Sequence, residues 1–130
     1  MFDKYLIGEK GFRNIVEDGK TTGFQIEVRI AYYRGLVLSM VEGFEVIVDG
    51  REFARETNLF TLRARTFTHK QLETEYDERW EMGEVALLTV PLPGGLSAGK
   101  HEVSVVEYLR VSYVPVITTG RDRKTLTLES

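Results

Sequence analysis

Hydrophobic residues recur at alternate positions along most of the chain, and turn-forming residues separate the runs. Phe24, Ile26, Val28 and Ile30 fall on one face of an extended segment, with Gln25, Glu27 and Arg29 on the other, the pattern of a half-buried strand. Phe12 to Val16 followed by Asp18-Gly19-Lys20 reads as a preceding strand and turn, so residues 11–31 are predicted to form a hairpin. Phe44, Val46 and Val48 alternate again and run into Asp49-Gly50, a dipeptide suited to a turn that needs positive φ, which predicts a second hairpin over 44–54. Leu36, Leu38 and Met40 make one face of an intervening strand. Val85 to Val90 is apolar on both faces, as in a central covered strand, and Pro91, Pro93 and Gly94-Gly95 end it because proline cannot donate to the ladder.

The longest strand candidate runs from Lys100 to Tyr113, with Val103, Val105, Leu109, Val111 and Tyr113 on one face. Glu107 interrupts that face, which leaves two readings: a bulge, or a face partly exposed to a partner. Residues 121–128 begin with charge and end in weak alternation, as either an edge strand or a segment reaching another chain. Thr68 with Gln71 makes a capping box and predicts a turn or two of helix over 69–75. Strands do not alternate with long helices, which argues against a parallel α/β sheet. The expected fold is all-β, an antiparallel β-sandwich of about seven to nine short strands with one short helical turn. It forms a single domain over residues 1–130.

Composition adds exclusions. Seventeen basic residues against 20 acidic ones give a net charge of −3 with no basic block, which argues against nucleic-acid binding. The chain has no cysteine, so disulfides, thiolate metal sites and cysteine nucleophiles are excluded. Its start lacks a basic segment followed by an apolar run, and no stretch is apolar enough for a membrane helix, so a soluble cytoplasmic protein without a membrane partner is expected.

Candidate chemistry is sparse. The two histidines, His69 and His101, belong to no metal or triad pattern, and no phosphate-binding loop occurs. No catalytic residue, cofactor-binding residue or metal ligand is expected in this chain. The carboxylates from Glu73 to Glu84 are read as a solvated loop; the alternative is a hydrolase using Glu75 and Asp77, although nothing fixes their separation. Tyr32, Tyr33 and Arg34 interrupt the alternation beside Gly35, between two strands. Tyrosine and arginine combine contact area with a polar group, so these three are candidates for a subunit interface, set against core packing of one tyrosine. Trp80 carries the same two readings, interface or core anchor.

Several stretches together resemble the small β subunits of bacterial C-glycoside deglycosidases. They are Gly11-Phe12-Arg13-Asn14-Ile15, Gly23-Phe24, the run from Val28 through Tyr32-Tyr33-Arg34-Gly35, Arg79-Trp80, Pro93-Gly94-Gly95-Leu96 and Gly99-Lys100-His101-Glu102-Val103. The resemblance implies a β-sandwich subunit of a heteromeric lyase that cleaves the sugar–aglycone carbon–carbon bond of 3-oxo-C-glucosides. A larger TIM-barrel α subunit would hold a divalent metal and the acid/base residues, and this chain would reach the glycoside only through the complex. The competing reading is a free-standing carbohydrate-binding module with exposed aromatics.

Overall fold

The computed structural model describes residues 3–32, 34–110 and 117–128. The first predicted hairpin is present as β1 (Arg13–Glu17) and β2 (Lys20–Val28). The second is present as β4 (Val41–Val48) and β5 (Arg51–Phe53), with Asp49 and Gly50 at φ 50° and 86° in the turn between them. The strand expected over 36–40 is shorter, because only β3 (Leu36–Val37) is extended and Leu38–Met40 is a 3-10 turn. Burial explains the break: Leu38 is fully buried within that turn, and its N–H donates to the Glu78 carbonyl at 2.9 Å rather than to a sheet neighbour.

A hairpin without a sequence signal follows, β6 (Leu59–Leu62) and β7 (Arg65–Phe67), turning through Arg63 and Ala64 at φ 49° and 69°. The capping box forms as expected: Gln71 N–H donates to Thr68 Oγ1, and Thr68 N–H donates to Gln71 Oε1. Helix α1 stops at one turn, His69–Leu72. The remaining strands are β8 (Arg79–Trp80), β9 (Ala86–Pro91), β10 (Gly99–Arg110) and β11 (Ile117–Leu128).

Among the described residues nine strands make two antiparallel sheets, of order β1-β2-β9-β6-β7 and β11-β10-β4-β5, and β3 pairs with β8 in a separate ribbon. The sheets face one another across one apolar core, shown by aromatic contacts that cross it. Phe24 of β2 meets Phe53 of β5 at 5.4 Å, and Phe60 of β6 stacks on Phe44 of β4 at 5.8 Å. β9 lies between β2 and β6 with Ala86, Leu88 and Val90 buried, while Leu87 and Thr89 remain half-exposed, so its outer face is less covered than its sequence suggests. Pro91 does not end the strand early; it pairs with Gly23 as the last residue of β9.

Glu107 departs from both sequence readings. It is regularly paired with Phe44 and Gly120 and fully buried, while the irregularity in the β10–β4 ladder falls between Tyr108 and Leu109. β11 pairs with β10 along its whole length, so residues 121–128 form the edge strand. The expected positions Val111 and Tyr113 lie outside the described residues. Residues 3–7 lie against β11: Arg121 N–H donates to Asp3 Oδ2 and Ile7 N–H to Asp122 Oδ2, each at 3.0 Å. Ile7 also bridges to Val28 of β2, so this segment ties one sheet to the edge of the other. No helix among the described residues is long and apolar enough to cross a membrane.

Candidate docking surface

The segment after β2 is anchored at both ends. Arg29 N–H donates to the Leu6 carbonyl at 2.8 Å, and Ala31 N–H donates to Glu107 Oε1 at 2.8 Å. Gly120 makes that approach possible, since a Cβ there would stand 2.7 Å from Ala31 Cβ. At the far end Gly35 lies against β8, where a Cβ would come within 2.8 Å of the Trp80 carbonyl. The Gly35 carbonyl accepts from Arg79 Nη2 at 3.1 Å. Between these anchors Tyr32 is half-buried against the core and Arg34 is exposed. Tyr33 lies outside the described residues.

Of the two readings for Trp80, its burial favours the core anchor. It is fully buried, edge-on to Phe44 at 5.9 Å and Phe60 at 5.1 Å, which gives it the core-anchor role. Its indole Nε1 donates to the Glu84 carbonyl at 2.9 Å and so fixes the turn Glu81–Glu84. That turn is also closed by Glu84 N–H to the Glu81 carbonyl and by Glu81 N–H to Glu84 Oε1, both at 3.1 Å. The turn carries Met82 outward. With Tyr5, Arg29, Ile30 and Gly83, Met82 lines an apolar notch of about 290 Å³. Tyr5 is 54% exposed and Met82 49%, so both present apolar surface to solvent.

Sequence reasoning found the loop and missed the notch. Met82 had one local signal, an apolar residue inside the acidic turn Glu81-Met82-Gly83-Glu84. Tyr5 had none, because only the fold brings residue 5 beside residue 82.

Several titratable groups elsewhere in the fold are held by their surroundings. Burial raises the Glu107 carboxyl from 4.5 to about 8; the Ala31 N–H opposes this and the Asp3 charge adds to it. Glu107 is therefore uncharged at neutral pH, and its Oε2 has no hydrogen-bond partner among the described residues. His101 has Nδ1 at 2.5 Å from Asp49 Oδ2 and Nε2 at 2.7 Å from the Ser97 carbonyl. Both neighbours are acceptors, so both ring nitrogens carry protons. The Ser97 carbonyl, then Asp49, hold the imidazole above its usual range against the opposing effect of burial. Asp49 is held below its usual range by the Glu102 N–H and by His101. His69 packs on Gly43, and its buried Nδ1 lacks a partner among the described residues.

Four carboxylates of the acidic run, Glu75, Glu78, Glu81 and Glu84, pair with arginines. Arg63 bridges Glu78 and Glu84, Arg65 pairs with Glu78 at 2.9 Å and Glu75 at 3.8 Å, and Arg79 pairs with Glu81 at 3.3 Å. Glu75 is thus drawn toward Arg65 and Asp77 is exposed, which sets up no acid and base across a common space. Among the described residues no three of His, Asp and Glu converge as metal ligands would.

A family model for the C-glycoside deglycosidase beta subunit matches residues 2–113. A C-glycoside deglycosidase beta subunit of Eubacterium cellulosolvens is 33% identical over 122 residues, covering 92% of this chain and 83% of its own. One from Arthrobacter globiformis is 34% identical over 100 residues, covering 77% and 74%. A 3'-dehydrocarminate deglycosidase beta subunit of Microbacterium sp. is 32% identical over 108 residues, covering 80% of each chain. On a match that spans both sheets from β1 to β10 and includes the loop after β2, the chain belongs to the C-glycoside deglycosidase beta subunit family.

Proposed function

We propose that this chain is the small, non-catalytic β subunit of a cytoplasmic, heteromeric C-glycoside deglycosidase. The complex splits the sugar–aglycone carbon–carbon bond of a 3-oxo-C-glucoside. Removing a proton beside a ketone needs a positioned base and an electrophile for the enolate. In this chain the clustered carboxylates face arginines, and His101 is held between two acceptors. The reading therefore assigns the base, the acid and the divalent metal to a larger TIM-barrel partner, and to this chain the support of that partner's active-site region.

The observation that carries the proposal is the apolar notch of Tyr5, Ile30 and Met82, with Tyr5 and Met82 exposed, a surface of the kind another chain covers. The test is reconstitution. The isolated chain is expected to leave a 3-oxo-C-glucoside intact, and a mixture with the large subunit is expected to release the aglycone. Cleavage by the isolated chain would overturn the non-catalytic assignment. Calorimetric binding of simple glycosides by this chain alone, with no large subunit co-purifying, would favour the carbohydrate-binding module instead.

A further inference from the structure

The notch continues into a second depression. An open groove of about 620 Å³ runs beside it, and the two share Tyr5 and Arg29. Its walls bring together Lys4, Lys10, Arg29 and Lys124 against two carboxylates, Glu9 and Glu27, in a chain whose net charge is −3. Glu27 lies against the 8–11 turn, its carboxylate oxygens 2.8 Å from where Cβ atoms on Gly8 and Gly11 would be. The Lys124 ammonium is fixed by the carbonyls of Lys4 and Ile7 and by Asp122 at 3.4 Å, so it forms the floor. Lys4 and Lys10 are exposed, and Lys4 Nζ stands 5.2 Å from the Tyr5 ring centroid.

We propose that this cationic groove and the adjoining notch receive an acidic segment of the large subunit that ends in an apolar side chain. The inference rests on the subunit reading above and assigns its contact surface. Local charge of sign opposite to the whole chain steers an acidic partner to one place. The notch supplies the desolvated anchor that charge alone does not. Lys10 lies on the turn after residue 7, whereas Met82 lies between β8 and β9, so the two halves of the surface can be altered independently.

The test measures binding of the full chain to the large subunit at about 50 and 300 mM salt, where screening lengths differ by more than twofold. Lys4→Glu with Lys10→Glu is expected to weaken binding about tenfold at low salt and much less at high salt. Met82→Asp is expected to weaken it about tenfold or more at both. All three positions are exposed, and unchanged circular dichroism and thermal midpoint are expected for each variant. A complex indifferent to both variants overturns this surface and leaves the subunit reading standing. Absence of any complex between the wild-type chains overturns both. If light scattering instead shows the isolated chain as a dimer that these variants dissociate, the occupant is a second copy and the proposal is wrong.

Discussion

Glu107 places a carboxyl where the alternation demands an apolar side chain, and the fold keeps it there by keeping it neutral. The folded state holds this proton up to about pH 8, while the unfolded chain gives it up near 4.5, so ionisation favours unfolding as pH rises between those values. Glu107→Gln, which keeps an acceptor for Ala31 N–H, is expected to flatten that loss, a difference on the order of a few kcal/mol in urea denaturation at pH 5 against pH 8. An unchanged slope would mean that another group carries it. His101 works with the same sign from a different cause. Its folded value lies above 6.5, so its stabilisation is complete below 6.5 and fades as pH climbs through the folded value. His101→Ala should therefore cost stability at pH 6 and progressively less above neutrality. Asp49, shifted down from 3.8, contributes only above that value and loses its effect in acid.

Trp80 shows what one residue does for an element. Its ring fills the space between Phe44 and Phe60, and its N–H holds the turn that presents Met82. Trp80→Phe is expected to cost about 1–3 kcal/mol through the unpaired Glu84 carbonyl and lost volume. Trp80→Ala is expected to cost about 3–5 kcal/mol. A pure interface residue would behave in the opposite way, leaving the melting temperature alone and weakening only the complex. Gly35→Ala should separate β3 from β8, because the added Cβ meets the Trp80 carbonyl backbone and Glu81; the loss of Leu36 amide protection from hydrogen exchange would report it. The elements legible in the sequence include the hairpins at 13–28 and 41–53, where alternation meets a glycine turn, the strands at 86–91 and 99–110, and the capped turn at 69–72. The β6–β7 hairpin was hidden because Arg63-Ala64 adopts positive φ without glycine or asparagine. The loop of Tyr32 and Arg34 could be located from its break in pattern, whereas the notch could not, since it is built from residues 5, 30 and 82 that only packing brings together.

Across the whole molecule the two sheets close around one core, and the last strand does more than complete an edge. β11 lies beyond the region that the family model matches, yet it covers all twelve residues of β10 and supplies the partners of Asp3, Ile7 and the Lys4 carbonyl. Removing residues 117–128 should leave β10 as a long unpaired edge, and aggregation in size-exclusion chromatography, rather than a folded monomer, is the expected result.

The pairing of residues 3–7 with β11 also sets an order of events. The groove needs Lys4 and Tyr5 together with Lys124, about 120 residues later in the chain, so it cannot exist until residue 124 has been made and has paired. Contacts of such sequence separation are slow to close. On the docking proposal, competence to bind a partner would thus arrive only once residues 3–7 and β11 have come together.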